Sequence, residues 1–220
     1  MSEVFDCHDA SQLLEGLRRT KVALKRDGLV VLPTDTVYGI AADAFSPSAV
    51  NELLKAKGRT RQSPPPVLIG SIAGLNALAE EVPDEVERLA KAFWPGALTL
   101  IVNARGSLNW DLGDTQGTVA VRVPDEAVAR AVLDDNGPLA VSSANKHGQP
   151  AATTAAEAQE QLGNDVLVYL DNGTSASGVS STIVDTTLLK TTGSVSVVRQ
   201  GGVTVEQLAE VIGADKVTVA

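Results

Sequence analysis

Short apolar segments alternate with helix-like segments along most of this chain. The segments 29–33, 118–123 and 138–142 have the length and branched apolar composition of strands, and 10–26 and 205–212 have the apolar spacing of helices. Phe, Trp and Tyr make up only 3% of the 220 residues, so Val, Leu, Ile and Ala must form the core, as they do in buried parallel or mixed sheets. The alternation therefore predicts an α/β fold in which helices cover a mixed sheet.

Length and composition restrict the class of protein further. A chain of 220 residues is within reach of one large α/β domain, and we expect a single domain over residues 1–220. Cys7 is the only cysteine, which excludes an internal disulfide, and no apolar run approaches the roughly 18–20 residues that a membrane span needs. The N-terminus carries Glu3, Asp6 and Asp9 instead of a basic and apolar secretion signal. We therefore predict a cytoplasmic protein with no membrane attachment.

The charge of the chain is locally reversed. A formal charge of -9 and a pI of about 4.7 argue against binding of nucleic-acid backbones as the main activity, because that needs a large basic face. Yet Lys55, Lys57, Arg59 and Arg61 fall within seven residues with no acid among them. This cluster indicates a site for a specific small anion.

The direction of these basic side chains depends on the backbone. Lys57, Arg59 and Arg61 occupy alternate positions, so an extended segment would direct all three to one side, whereas a helix would scatter them. Gly58 and the three prolines at 64–66 disfavour a helix, which favours convergence. The alternative is a solvated basic end to the preceding helix, where cations also suit the helix dipole.

The strand at 118–123 has two different faces. Its valines share one face and pack into the core, and the other face carries Thr118, Ala120 and Arg122. Arg122 is either a surface charge on a half-exposed sheet or a fork for a carboxylate or phosphate. Two other apolar strands end in hydroxyl and amide side chains, at 33–36 and at 142–145, and ligands of open α/β sheets collect at such strand ends. These neighbours favour ligand binding by Arg122.

Five motifs follow one another in the order and spacing of a known family. They are Pro33-Thr34-Asp35-Thr36-Val37-Tyr38-Gly39, Lys57-Gly58-Arg59, Trp94-Pro95-Gly96-Ala97-Leu98-Thr99, Val121-Arg122-Val123-Pro124 and Ser143-Ala144-Asn145. With further matches between Asp171 and Gly201, the chain resembles the threonylcarbamoyl-AMP synthases, the YrdC-like proteins of tRNA modification, over roughly residues 29–201. The resemblance implies a twisted mixed β-sheet flanked by helices around a concave central cleft, a YrdC-like or DHBP-synthase-like fold.

The resemblance also implies a nucleotidyltransferase activity. The enzyme would form L-threonylcarbamoyladenylate and pyrophosphate from ATP, L-threonine and bicarbonate, for the threonylcarbamoyladenosine modification of tRNA. Mg²⁺ would be bound with ATP and bridge its phosphate oxygens. The product would be handed over to a tRNA threonylcarbamoyltransferase complex, and direct binding of tRNA by this chain stays open.

By the same resemblance, the site residues fall into two groups, and the reaction needs no protein nucleophile. The catalytic residues would be Lys57 and Arg59, which with Arg199 would bind the phosphates of ATP. The rest of the nucleotide site would be lined by Ser63, Thr118, Ser143 and Asn145. L-Threonine would be held by Thr36, Arg122, the backbone near Val141, and Ser181, with Tyr38 as a wall of its pocket. Leu68, Ala151 and Gln200 depart from the family pattern and receive no role.

Other functions have weaker support in the sequence. Ser143 and Lys146 match the Ser-x-x-Lys of acylating serine enzymes, but that pair needs a helix, which Pro150 opposes. His8 and His147 are the only histidines and are too few for a metal site. The runner-up is a double-stranded RNA or tRNA-binding module that uses the same cleft, although the acidic composition disfavours it. A third possibility, carbamoyl transfer to another acceptor, occurs in hydrogenase-maturation proteins whose zinc-finger and acylphosphatase parts are absent from this sequence.

Overall fold

A computed structural model describes residues 2–220, and within this range every strand joins one mixed sheet. The strands are β1 (Glu3–Asp6), β2 (Val30–Leu32), β3 (Gly39–Asp43), β4 (Val67–Leu68), β5 (Leu98–Asn103), β6 (Thr118–Arg122), β7 (Leu139–Ser143), β8 (Val168–Asp171), β9 (Thr182–Asp185), β10 (Val195–Arg199) and β11 (Val217–Val219). Their order across the sheet is β1-β8-β2-β3-β7-β4-β6-β5-β9-β10-β11. The sheet mixes parallel pairs such as β4 with β6 and antiparallel pairs such as β3 with β7.

Within residues 2–220, eight α-helices connect the strands. They are α1 (Ala10–Leu24), α2 (Pro47–Lys57), α3 (Ala73–Leu78), α4 (Asp84–Phe93), α5 (Ala127–Asn136), α6 (Ala155–Leu162), α7 (Leu189–Thr192) and α8 (Val205–Ile212). Several begin at side chains that cap the free N–H groups of the first turn: Asp9 accepts from Ser11 and Gln12, and Thr204 forms a reciprocal capping box with Gln207. No helix among residues 2–220 has both the length and the apolar character needed to cross a membrane.

Helices cover both faces of the sheet. In β2, Val30 and Leu32 pack into the apolar cluster that also contains Leu24 of α1 and Val132 of α5. Val31 points the opposite way, into a cluster with residues of α2 and α6. The far half of the sheet packs under α4 and α8 in the largest cluster. The predicted fold class, a mixed sheet flanked by helices, is therefore confirmed.

The strand β6 has the predicted two-faced pattern. Val119 and Val121 are buried in the largest apolar cluster, and Thr118, Ala120 and Arg122 line a cavity on the other side. The buried part of the strand thus presents one arginine toward a cleft. This arrangement confirms the face assignment and excludes a surface-exposed Arg122.

Some elements were not predicted from the sequence. β1 is largely exposed and has an acidic residue at each end, and β3 begins with glycine and is rich in alanine, so neither has a strong strand composition. Both form because they pair with neighbours, β1 with β8 and β3 with β2 and β7. Helix α5 is capped by Glu126, whose side chain accepts the N–H of Ala129, and not by the preceding Asp125.

Candidate functional site

A cleft of about 340 Å³ opens where the strands β3, β7, β6 and β9 meet the loops that follow them. Among the described residues that line it, the charged side chains are all arginines: Arg59, Arg122 and Arg199. Hydroxyl groups from Thr118, Ser142, Ser143, Ser180 and Ser181 share the lining with apolar side chains. In a chain with a formal charge of -9, a cleft of this composition is suited to an anionic ligand.

Arg122 lies at the inner end of the cleft, and three protein groups hold its guanidinium. Nε donates to the carbonyl oxygen of Gly96 at 2.8 Å, Nη1 to Oγ1 of Thr36 at 2.8 Å, and Nη2 to Oδ1 of Asp35 at 2.6 Å. The side chain is only 7% exposed, and burial lowers the pKa of Arg122 while the nearby Asp35 opposes that shift. An arginine has five N–H donors, so two are left for a ligand in the cleft.

The hydroxyl groups next to Arg122 have a defined direction of donation. Oγ1 of Thr34 donates to the carbonyl oxygen of Val37 at 2.6 Å, which uses its only hydrogen. The hydrogen bond of 2.9 Å between Thr34 and Thr36 must therefore be donated by Thr36. Thr36 in turn accepts from Arg122, so its hydroxyl can only accept another hydrogen bond from a ligand. Thr36 is 1% exposed, and Thr34, not Thr36, lines the cleft.

Arg199 lies across the cleft and contacts Ser181. Its Nη2 donates to the carbonyl oxygen of Ser181 at 2.8 Å, and Oγ of Ser181 is 2.8 Å from Oγ1 of Thr99. Burial, and then the charge of Arg59, lower the pKa of Arg199. Because Arg59 and Arg199 line the same cleft, both are available to one polyanion bound there.

Arg59 reaches the cleft from the turn after α2. Its Nη1 donates to Oγ of Ser142 at 3.2 Å, and its buried Nε has no hydrogen-bond partner among the described residues. A buried donor without a partner costs free energy unless a ligand or water satisfies it. This guanidinium therefore retains most of its donors for a ligand.

Lys57 does not point into the cleft, so its expected role as a phosphate-binding residue is wrong. Its ammonium is completely buried and donates to the carbonyl oxygen of Ser143 and to two oxygens of Asn145, the carbonyl at 2.7 Å and Oδ1 at 3.3 Å. These contacts use all three donors. Burial, with a smaller contribution from Arg59, lowers the pKa of Lys57 to about 7. Lys57 thus joins α2 to the loop after β7 and has no donor left for a phosphate.

The predicted convergence of Lys57, Arg59 and Arg61 is also wrong. Helix α2 continues to Lys57, and Gly58 then adopts a left-handed conformation with φ of 68°, which reverses the chain direction. Arg61 emerges on the surface and binds the carboxylate of Asp111 with two nitrogens, at 2.8 and 3.0 Å. Only Arg59 of the three enters the cleft. The sequence indicated the end of the helix near Gly58, but not the direction in which each basic side chain leaves the turn.

The cleft brings together eight of the twelve predicted site residues. They are Tyr38, Arg59, Thr118, Arg122, Val141, Ser143, Ser181 and Arg199. Lys57, Thr36 and Asn145 lie behind this lining as buried supports, and Ser63 is exposed next to the lining prolines Pro64, Pro65 and Pro66. Apart from the phosphate contact assigned to Lys57, the individual ligand contacts assigned to these residues stay predictions.

Apolar side chains form part of the lining that contains Arg122. The ring of Tyr38 contributes to it, since the Tyr38 hydroxyl is directed away and donates to the carbonyl oxygen of Gly173 at 2.6 Å. Burial raises the pKa of that hydroxyl. Val141 and Leu68 complete this part of the wall, so a fork for a carboxylate lies beside a surface suited to a small aliphatic group.

Sequence reasoning missed several polar groups of the site. Ser142, Ser180 and Thr99 line the cleft without having been assigned, and Asp35 holds Arg122 from behind. All four lie in or directly beside the motifs or strand ends noted above. Their position in or beside these motifs could have identified them as site residues. Which of two adjacent hydroxyl groups faces the cleft, however, depends on the strand geometry.

The cleft does not provide a metal site of its own. No carboxylate or histidine is among its described lining residues, and no cluster of three or more potential metal-binding side chains occurs within residues 2–220. Magnesium prefers carboxylate oxygens, usually one or two from the protein. The donor set therefore fits arginine-bound phosphates better than a resident cation.

Comparison with known proteins gives consistent similarities. The family model Sua5_yciO_yrdC, described as telomere recombination, matches residues 22–201. A protein of Mycobacterium leprae, provisionally named a threonylcarbamoyl-AMP synthase, is 51% identical over 97% of this chain and 95% of its own length. The threonylcarbamoyl-AMP synthase of Vibrio cholerae (strain O395) is 34% identical over 86% of this chain and 99% of its own length.

Solved structures show the same architecture. Pyrococcus abyssi Sua5 complexed with L-threonine superimposes on the whole chain with a TM-score of 0.89 and 31% identity, and the match covers 62% of that longer protein. Escherichia coli YciO matches 94% of this chain and all of its own with a TM-score of 0.80, but at 21% identity it supports the fold alone. The chain therefore belongs to the Sua5/YciO/YrdC family, whose members include the threonylcarbamoyl-AMP synthases.

Proposed function

We propose that this protein is an L-threonylcarbamoyladenylate synthase, which makes threonylcarbamoyl-AMP and pyrophosphate from ATP, L-threonine and bicarbonate. The observation that carries the proposal is the cleft in which, among the described residues, every charged lining side chain is an arginine and Arg122 shares the lining with apolar side chains. The planar guanidinium of Arg122 and the apolar side chains suit the carboxylate and the side chain of an amino acid. The other two arginines suit the phosphates of a triphosphate. Membership of the family supports the same assignment.

Threonine would occupy the inner part of the cleft. The two free N–H groups of Arg122 are suited to its carboxylate, since a planar guanidinium can bind both carboxylate oxygens. Val141, Leu68 and the ring of Tyr38 would accommodate its methyl group, and the Ser181 hydroxyl is within the same lining. This placement would leave the amine directed toward the rest of the cleft.

ATP would occupy the outer part, with its phosphates between Arg59 and Arg199. Both guanidinium groups are partly buried, so their interaction with phosphate is less screened than on the surface. Thr118, Ser142 and Ser143 supply hydroxyl groups along the same wall. Mg²⁺ would arrive as part of the substrate MgATP, bound through phosphate oxygens.

The proposed reaction requires positioning and charge neutralisation. Threonine's ammonium group condenses with bicarbonate to a carbamate, with loss of water and of a proton to solvent. A carbamate oxygen then attacks the α-phosphorus of ATP, and the bond from that phosphorus to the bridging oxygen breaks, so that pyrophosphate leaves with its negative charge. Arg59 and Arg199 would stabilise the charge that develops on the pyrophosphate, and Arg122 would fix the direction of attack. No step uses a covalent bond to the protein.

The structure argues against a serine nucleophile. Ser143 ends β7, and the residues between it and Lys146 are not helical, while Lys146 Nζ binds Asp165 at 3.0 Å. The pair therefore lacks the geometry of an acylating Ser-x-x-Lys enzyme. A Ser143→Ala variant should weaken the use of ATP and still form the adenylate, and a trapped covalent adduct on Ser143 would contradict the proposed chemistry.

The reaction class is tested by pyrophosphate release from ATP. Threonine and bicarbonate are added singly and together, with serine in place of threonine as a parallel arm. We expect release only when both co-substrates are present, and threonylcarbamoyl-AMP as the nucleotide product by mass spectrometry. Release without threonine, or none in the complete mixture, would overturn the proposal.

We further propose that the product is handed to a tRNA threonylcarbamoyltransferase complex in the cytoplasm, because a mixed anhydride of a carbamate is a transferable acyl group. The RNA-binding alternative predicts affinity for tRNA that falls steeply with salt. Measurement of tRNA binding between low and physiological ionic strength distinguishes the RNA-binding alternative from the proposed synthase function. ATP binding in a partly enclosed cleft should fall less over the same range.

A further inference from the structure

The ion pair between Arg122 and Asp35 differs from the other ion pairs among residues 2–220. Its two side chains are only 7% and 15% exposed, whereas most of the other pairs lie on the open surface. Ion pairs on the surface contribute little to folding stability, but a buried guanidinium without a counter-charge lowers that stability considerably. Asp35 therefore provides more than a surface contact.

The carboxylate of Asp35 joins two parts of the chain. Its Oδ1 accepts from Nη2 of Arg122 at 2.6 Å and from the backbone N–H of Asp125 at 2.9 Å. Its Oδ2 has no hydrogen-bond partner within residues 2–220. One oxygen thus anchors the guanidinium to the segment directly after β6.

Asp35 supplies the charged member of the three contacts that orient Arg122. The carbonyl of Gly96 and the hydroxyl of Thr36 bind Nε and Nη1, and Asp35 fixes the remaining corner at Nη2. A guanidinium held at three corners has a fixed plane, so its two free N–H groups, one on each of Nη1 and Nη2, keep a fixed direction. Without the third contact, the whole guanidinium can rotate about the side-chain bonds toward other acceptors.

We propose that Asp35 is a positioning residue for substrate binding, which holds the Arg122 fork in the orientation that receives the carboxylate of an α-amino acid. This inference rests on the proposed function, in which that amino acid is L-threonine. Asp35 itself does not contact the substrate. It acts through the geometry of Arg122.

The test uses two variants of Asp35. Asp35→Ala removes the acceptor, whereas Asp35→Asn keeps Oδ1 as an acceptor for both donors and places its amide nitrogen where Oδ2 has no protein partner. Asp125→Asn is the matched control, because the Asp125 side chain is exposed and only its backbone binds Asp35. Folding of each variant is checked by thermal unfolding.

The readouts are calorimetric binding of L-threonine and of L-threoninamide, which lacks the carboxylate, and the KM values for threonine and ATP. We expect Asp35→Ala to weaken threonine binding about tenfold or more, the effect of losing one charge-assisted hydrogen bond. Its preference for threonine over threoninamide should shrink by a similar factor, while the KM for ATP stays within about twofold. Asp35→Asn should recover most of the threonine affinity, and Asp125→Asn should match the wild type.

Two results would overturn the inference. Equal losses for threonine and threoninamide in Asp35→Ala would assign Asp35 a purely structural role, and equal defects in Asp35→Ala and Asp35→Asn would show that charge matters and position does not. If Asp35→Ala fails to fold, the Asp35→Asn preference ratio decides alone. Wild-type protein that neither binds threonine nor releases pyrophosphate would refute the proposed function and is recognised before any variant is made.

Discussion

Each polar side chain around the cleft is defined by the donors that remain after its protein contacts are made. Arg122 has two N–H groups left, Arg59 has a buried Nε without a partner, and Lys57 has none left. The number of unused donors distinguishes ligand-binding cations from supporting ones more clearly than position in a motif does. Variants of Arg122 and Arg59 therefore test ligand binding, whereas variants of Lys57 test stability.

Replacement of Arg122 by lysine should impair threonine use specifically. Lysine has the charge but only one nitrogen, which cannot replace three contacts to the protein and a planar fork to a carboxylate. Losing one charge-assisted hydrogen bond costs about 1.5–3 kcal/mol, or roughly 10–150-fold. We expect Arg122→Lys to raise the KM for threonine by that order with ATP affinity, measured without threonine, nearly unchanged. Equal losses of affinity for threonine and ATP, or no loss for either, would contradict this role.

The buried Lys57 should make stability depend on pH. Its folded pKa of about 7 lies below the ordinary value of 10.5, so between these values the unfolded chain holds a proton that the folded protein releases. Stability rises with pH wherever the unfolded state binds more protons. The free energy of unfolding of the wild type, relative to Lys57→Met, should therefore be lowest below pH 7 and increase up to about pH 10.5. Urea titrations at several pH values measure this difference, and a flat difference would mean that the ammonium's three acceptors keep it charged.

At the scale of elements, the loop between β5 and β6 closes one side of the cleft. Leu112 and Thr115 of this loop line the cavity, and the loop is attached to the chain after α2 through Arg61. The N–H of Asp114 donates to the carbonyl oxygen of Arg61 at 2.8 Å, and the Arg61 side chain binds Asp111. Arg61, which was expected to converge with Lys57 and Arg59, instead holds the wall of the site.

Gly113→Ala tests this attachment. Gly113 has φ of 105°, and an added Cβ would lie 2.6 Å from the carbonyl oxygen of Arg61, so the loop must move. We expect a loss of more than about 1 kcal/mol in unfolding free energy and a raised KM for ATP, because Leu112 and Thr115 shift with it. Gly106→Ala, in the same loop with nothing within 4 Å, is the control and should behave like the wild type. An unchanged KM in Gly113→Ala would show that this wall does not shape the nucleotide site.

The elements also show which parts of the site the sequence could predict. The period of two in β6 placed Arg122 opposite the buried valines, because alternation depends only on local backbone geometry. The directions of Lys57 and Arg59 depend on one left-handed residue, Gly58, at which the helix ends. Asp35, the counter-charge of Arg122, lies 87 positions before it in the chain, and no local sequence pattern predicts a contact over that separation.

On the scale of the whole molecule, an acidic protein encloses a cleft whose described charged lining is entirely cationic. Like charges held close together and a partnerless buried donor reduce the stability of the empty protein. Arg59 contributes to both effects, since its charge lowers the pKa values of Lys57 and Arg199 and its own Nε is unsatisfied among the described residues. Affinity for a polyanion is thus obtained at some cost in folding free energy.

Arg59→Met should therefore separate stability from function. The variant keeps much of the side-chain volume and removes the repelling charge, so without ligand its unfolding free energy should equal that of the wild type or exceed it by about 0.5–2 kcal/mol, as for other sites where function opposes stability. Because ligand stabilisation follows RT ln(1 + [L]/Kd), a roughly 10–150-fold weaker ATP complex should abolish most of the rise in Tm that ATP produces. Thermal unfolding with and without ATP or pyrophosphate measures both effects, and Arg18→Met, an exposed arginine of α1, is the control. A variant that is clearly less stable without ligand, yet is stabilised by ATP as strongly as the wild type, would show that Arg59 is a structural residue and that the phosphates bind elsewhere.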